Sequence, residues 1–255
     1  MLALIAPLLF QFDTPKPIIY QMNATFDGFL PLFGGNEGKA VVVLDVAVKK
    51  LPTEKDGTLR LEHELTDAKL TFNDAPLPFT VDNLRNFFPK TVVTIDTEGR
   101  TLATTAPKIP VPVRLPGLDV QRMADLVYLP VIFDNRAREP KDQWSFKKPF
   151  GESDVLYTCT LRERKQDQQP IDVKLEQAYS VFEDEALQVI ADEKDAVSRV
   201  ETTMTGGGTM DFDVKRGLFV KTVLTANAVS KVTDLKTKAV TERKLKIEFT
   251  VTLKK

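Results

Sequence analysis

The chain has 255 residues, 42% apolar and 28% charged, with a formal net charge of −1. This balance excludes a disordered polyelectrolyte and a membrane-embedded bundle, and it gives no global attraction to nucleic acid. A single cysteine, Cys159, excludes an internal disulfide framework, and a single histidine, His63, excludes metal sites built from His and Cys.

Leu2 to Phe10 is an uncharged apolar run of signal-peptide length, too short to span a bilayer. No basic residue precedes it and no small-x-small cleavage site follows. A translation start inside a longer leader accounts for the missing basic end. Residues 1–12 are therefore expected to be part of a signal peptide, which implies an extracytoplasmic protein, periplasmic or secreted, with no membrane span in the mature chain. The competing expectation is a buried first strand. Residues 13–38 hold Pro15, Pro17, Gly28, Pro31, Gly34, Gly35 and Gly38, and read as a linker and loop.

Strand signals begin at residue 39. Val42, Leu44, Val46 and Val48 alternate, as do Leu59, Leu61, His63 and Leu65 across the turn at Gly57, which predicts a hairpin. Residues 69–72 continue the meander. Val81, Leu84 and Phe88 predict a short helix over 80–88 that stops at Pro89. A hairpin follows over 91–105, then Pro107, Pro110, Pro112 and Pro116, too many missing donors for a central strand. This stretch separates a first β half, 39–116, from a second, 117–255, and the two are compatible with one domain.

The second half opens with a helix over 118–129 and continues through Tyr128-Leu-Pro-Val-Ile-Phe and Gln143-Trp-Ser-Phe. Alternating runs at 155–161 and 173–179 form a hairpin. A third helix is expected over 182–195, although Leu187, Val189 and Ala191 fit a strand equally. A hairpin over 209–232 and a final strand over 245–253 complete the chain. Thr94-Ile-Asp-Thr-Glu-Gly99 and Phe212-Asp-Val-Lys-Arg-Gly217 share one grammar, strand, Asp, connecting residues, Gly, strand, which suggests two similar halves. The fold class is thus mainly β: an antiparallel meander forming a half-open barrel or sandwich, with two or three short helices.

Catalytic signals are weak. His63 lies in an apolar strand phase and reads as a core residue, and no Gly-x-Ser-x-Gly elbow accompanies it. Cys159 shares its phase with Val155, Tyr157 and Leu161, as a buried thiol does. Gly206-Gly-Gly-Thr209 has no following Lys and opens no helix, so it reads as a turn or bulge rather than a phosphate loop. Asp211 to Gly217 lacks the spacing of a calcium loop. No cofactor and no metal site are expected, and no enzyme beyond a remote carboxylate-dependent hydrolase.

Sixteen Phe against one Trp and four Tyr favour greasy interior surface over sugar or base stacking. Phe26, Phe29, Phe33, Phe87 and Phe88 flank glycine-rich or proline-bounded segments and are the candidate lining of a cavity mouth. Residues 214–255 carry eleven Lys/Arg against three acids, a face suited to anionic head groups.

The meandering strands, the Asp-x-x-Gly hairpins and Gln143-Trp-Ser resemble bacterial extracytoplasmic β-rich domains of unassigned function, over roughly residues 40–253. At the level of fold the pattern is also similar to the half-open barrels of lipoprotein carriers. The resemblance implies no site residues. The functional expectation is an exported, non-enzymatic binding or structural domain. The alternative is a carrier of a lipid or other apolar ligand in a sheet cavity. The expected partners are a lipid or an envelope protein, not nucleic acid.

Overall fold

The structure, a computed structural model, describes residues 6–31, 34–52, 57–86, 88–105 and 122–254. The elements in chain order are β1 (Ile18–Leu30), β2 (Asn36–Leu51), β3 (Thr58–Phe72), β4 (Ala75–Pro76), α1 (Val81–Arg85), β5 (Thr91–Asp96) and β6 (Thr101–Thr104). They continue with α2 (Met123–Val127), β7 (Gln143–Phe150), β8 (Ser153–Leu161), β9 (Gln168–Glu183), β10 (Val189–Ile190), β11 (Ser198–Asp213), β12 (Leu218–Asp234) and β13 (Val240–Leu253). All the strands join one antiparallel sheet, ordered β6-β5-β3-β2-β1-β13-β12-β11-β9-β8-β7, with β10 on β9 and β4 on β3. The sheet is open: β6 and β7 are its two ends.

Period-two alternation puts one face of each strand inside. Tyr20, Met22, Ala24 and Phe26 of β1 are buried, as are Leu44, Val46 and Val48 of β2 and Val155, Tyr157, Cys159 and Leu161 of β8. The stretch expected as a loop, residues 13–38, therefore contains the strand that unites the sheet. β1 pairs with β2 on one side and with β13 on the other, Tyr20 opposite Leu253 and Gly28 opposite Leu245. Gly28 kinks rather than breaks it: φ is +132°, and a Cβ would stand 2.2 Å from the Lys244 carbonyl oxygen. Residues 59–65 and 69–72 are one strand, β3, with a bulge opposite Asp45 and Val46.

Two segments outside the sheet fill its concave side. One is the N-terminal stretch around Leu8, Phe10 and Phe12; the other is the crossing segment, residues 122–133, formed by α2 and the extended chain after it. Tyr128 of the crossing segment reaches both His63 on β3 and Tyr20 on β1. Phe133 packs on Phe212 and Phe219 of β11 and β12, and on Trp144 of β7. One short segment can touch β1, β3, β7, β11 and β12 only if the sheet curls around it. The gap between the sheet's ends is spanned by the same segment. Trp144 Nε1 donates to the Ile132 carbonyl at 2.9 Å, and Phe133 N donates to Glu98 O at 2.8 Å.

The apolar run expected to lie off the folded domain is, from Leu8 onward, part of the core. Leu8, Phe10 and Phe12 are buried, and Phe10 meets the rings of Phe133, Phe212 and Phe219 at 5.4–5.9 Å. The two hairpin loops, Asp96 to Gly99 and Asp213 to Gly217, the second one residue longer than the first, clamp this segment. Phe10 N donates to Thr97 O at 2.8 Å, and Gln11 N and Asp13 N donate to Gly217 O and Arg216 O at 3.0 and 2.9 Å. Gly99 and Gly217 have φ of +92° and +64°, and a Cβ on either would drive into Phe10 or Gln11 at about 2.5 Å. The shared motif closes two hairpins, and both loops grip the same strap.

Of the three expected helices, two form. Thr80 and Asn83 make a reciprocal cap at the start of α1, and α2 occupies part of the second span. The third does not. β9 runs on to Glu183, a turn follows with Leu187 at φ +61°, and Val189–Ile190 pair back on β9 before a 3-10 turn at Glu193–Asp195. The proline-dense stretch at 107–116 lies outside the described residues.

Candidate functional site

The glycine tract read as a turn or bulge is continuous strand. Gly206 and Gly208 sit on the inner face of β11, opposite Ala226 and Leu224 of β12 and Leu175 and Val173 of β9. A Cβ at Gly206 would stand 2.3 Å from Thr225 O, and one at Gly208 would stand 1.9 Å from Val223 O. The backbones of β11 and β12 approach so closely here that only glycine fits, and the inner face loses two side chains in succession.

Beside this bare patch the crossing segment stands off the sheet and leaves a pocket. Its floor is Phe26, Tyr157, Leu175, Met204, Leu224, Ala226, Ile247 and Phe249, and its roof is Asp125, Leu126 and Pro130. Register places the floor on one face, because Phe26 faces Ile247, Ile247 faces Ala226, and Phe249 lies between Ala24 and Leu224. Leu126, Leu224, Ile247 and Phe249 are only half-buried, so the pocket reaches solvent. Its free volume is about 70 Å³, well below the roughly 300–1,000 Å³ of pockets that enclose a whole drug-sized ligand. It has room for the end of a hydrocarbon chain.

Asp125 of the roof belongs to a buried charge cluster whose two cations stand outside the pocket lining. Lys148, which shares the inner phase of β7 with Trp144, Phe146 and Phe150, places Nζ 2.6 Å from Asp125 Oδ1 and also donates to the Leu129 carbonyl. Arg122 Nε donates to Asp125 Oδ2 at 2.5 Å. The Lys148 and Asp125 side chains are 2% and 4% exposed, whereas Arg122 is 30% exposed. Burial pulls the Lys148 pKa below its ordinary value, against the opposing pull of the Asp125 carboxylate. The same burial pushes the Tyr157 hydroxyl upward.

Of the Phe side chains proposed from sequence, Phe26 lines the pocket. Phe29 lies under the Arg243 guanidinium, 4.3 Å from its ring centre, and Arg243 in turn pairs with Glu183 at 2.7 Å. Phe88 is partly buried against the core after α1, while Phe33 and Phe87 lie outside the described residues. Leu224, Ile247 and Phe249 were visible in sequence only as strand residues. Lys148 had a signal of its own, a charge in the apolar phase of an alternating run.

His63 is buried, with Nδ1 2.7 Å from the Tyr128 hydroxyl. Burial draws its pKa down to about 4. The folded protein therefore favours the neutral ring, and the unfolded chain binds the proton first as pH falls. The stabilisation is complete above about pH 6.5 and is lost as pH drops from there toward 4, up to about 3 kcal/mol. Urea titrations from pH 7 to 4 should show this loss in wild type and a smaller one in His63→Gln; parallel profiles would contradict it. Cys159 is fully buried and its thiol is pushed up to about 12, so it is no nucleophile at neutral pH. Among the described residues there is no group of three or more His, Cys, Asp or Glu side chains placed to hold a metal, and no helix long and apolar enough to cross a membrane.

No protein-family model matches the chain, and no curated protein matches it in sequence. Among solved structures it is similar to lipovitellin, in a structure described as showing lipid–protein interactions, with a TM-score of 0.52 and 11% identity. The likeness covers 96% of this chain but only 26% of the lipovitellin chain, and at that identity it shows a shared fold alone.

Proposed function

We propose that the chain is a non-enzymatic binding domain, acting outside the cytoplasm, that holds the apolar end of a small ligand against the inner face of its sheet. The observation that carries this reading is the pocket between the crossing segment and strands β1, β11, β12 and β13. There the core face continues past the segments that fill the rest of the concavity, and half-buried Leu224, Ile247 and Phe249 reach the solvent. Apolar surface left open beside a packed core is where burial of a ligand gains most, about 25 cal/mol per Å² covered. Similarity of fold to a lipid-associated protein supports the same class of ligand. The export element of the reading rests on the apolar run at the start of the chain, and it requires any leader to end before Leu8, which is a core residue.

An environment-sensitive apolar dye should bind the native protein saturably, at one per chain, and be displaced by fatty acid. Ile247→Trp, which fills the pocket, should abolish binding while leaving the melting transition in place. Absence of saturable binding, or full binding to a folded Ile247→Trp variant, would refute the proposal.

A further inference from the structure

Two inward side chains of the pocket are polar, Asp125 in the roof and Tyr157 in the floor; Thr225 lies in the exposed phase of β12. The Asp125 carboxylate is already engaged, one oxygen by Lys148 and the other by Arg122. Tyr157 is not. It is 7% exposed and stands in the row Phe146, Tyr157, Leu175 across β7, β8 and β9. Its ring lies flat against Phe146, with centroids 4.9 Å apart and planes 10° apart, which fixes the ring and leaves the hydroxyl at its free end. No hydrogen bond among the described residues reaches this hydroxyl. It is not sealed in protein as the unpaired Gln169 Oε1 and Gln177 Oε1 are, so it opens on the pocket. A polar group so enclosed by apolar neighbours gains most from a partner. Burial first, and the Asp125 charge second, keep the phenol protonated and therefore a donor, and both act equally against an anion laid beside it.

We infer that the Tyr157 hydroxyl donates a hydrogen bond to the ligand, and that the ligand is an apolar chain with an uncharged oxygen acceptor at its enclosed end, an alcohol, ketone or ester rather than an ionised acid. This inference rests on the pocket reading above and narrows it. The oxygen belongs at the enclosed end because the pocket, about 70 Å³, holds only the end of a chain, and Tyr157 is part of its wall. Charge is disfavoured in either sign. An anion meets the Asp125 carboxylate in the roof, and a cation finds that carboxylate already shared by Lys148 and Arg122. A neutral acceptor meets neither penalty and completes the phenol.

The test measures displacement of an apolar dye from the native protein at pH 8 by four probes with eight carbons: 1-octanol, 2-octanone, octanoate and octylammonium. Octanol and octanone should each bind at least about ten-fold more tightly than either ion, since only the ions carry a charge into the pocket. Octanoate should still displace the dye at higher concentration, through its chain alone. Tyr157→Phe keeps the ring and its stack on Phe146 and removes only the hydroxyl. In this variant octanol and octanone should both weaken by about two- to ten-fold, the size of one neutral hydrogen bond, and octanoate should not change. Octanoate binding as tightly as octanol, or no loss in a folded Tyr157→Phe variant, would overturn the neutral-acceptor assignment and leave the pocket reading standing. A loss confined to octanol would overturn the role of Tyr157 as donor, because octanone can only accept. Failure of all four probes to displace the dye would remove the pocket reading and this inference together. The wild-type ranking decides between neutral and charged ligands even if the variant fails to fold.

Discussion

Asp125→Ala should cost the fold about 3–5 kcal/mol, the usual penalty for leaving one partner of a buried ion pair uncompensated. Lys148 is 2% exposed and cannot turn to water, and the substitution leaves it under the repulsion of Arg122, a charge of the same sign. The loss should depend on pH. Without its carboxylate the buried amine favours the neutral form still more strongly, so the unfolded chain binds more protons and stability rises with pH toward the ordinary lysine value near 10.4. The double variant Asp125→Ala/Lys148→Met should regain most of the loss at pH 7, because replacing both charges removes the desolvation penalty along with the attraction. Urea denaturation of the single and double variants measures both effects. An Asp125→Ala protein as stable as wild type would mean that the cluster is not buried in solution.

Removal of residues 1–12 should abolish cooperative folding. Leu8, Phe10 and Phe12 are 5%, 0% and 1% exposed. Truncating one buried Phe costs about 3–5 kcal/mol, and a whole domain is typically stable by about 5–15 kcal/mol. Deleting all three also empties the grip of the two hairpin loops at Gly99 and Gly217. Phe10→Ala alone should lower stability by about 3–5 kcal/mol, because the gap between Phe133, Phe212 and Phe219 cannot collapse without shifting two strands and the crossing segment. Circular dichroism melts decide the matter. A truncated protein with an unchanged transition would show that this segment is a leader lying on the surface.

Strand periodicity was legible because it reports a local fact, which side of the sheet each residue faces. The runs at 42–48, 59–65, 155–161, 173–179, 219–225 and 245–253 all lie within strands. The segments that fill the concavity were not legible in the same way. Tyr128, Leu129, Val131 and Phe133 are surrounded on every side, so the segment is apolar without alternation and looks like another strand. The N-terminal run is ambiguous for the same reason: a leader and a core strap are both short, uncharged and apolar. The helix expected over 182–195 failed where a positive φ at Leu187 starts a turn, a backbone choice that side-chain spacing does not report. The pocket depends on register between distant strands, and its charge cluster joins residues from α2 and β7. Lys148, a cation in the apolar phase of β7, was the one signal from which that place could have been found, and it was not read.

The pairing of β1 with β13 bears on how the chain is made. Tyr20 leaves the ribosome long before Leu253, by roughly 10–50 s at ordinary elongation rates of about 5–20 residues per second. Through that interval β1 has one unsatisfied edge, and the apolar inner face of β1 to β3 has no opposite wall. Contacts so distant in sequence form slowly, and an open strand edge invites pairing with other chains. The nascent chain is therefore a natural client for a holdase, and a product truncated before residue 240 would carry a permanent sticky edge in the middle of its sheet.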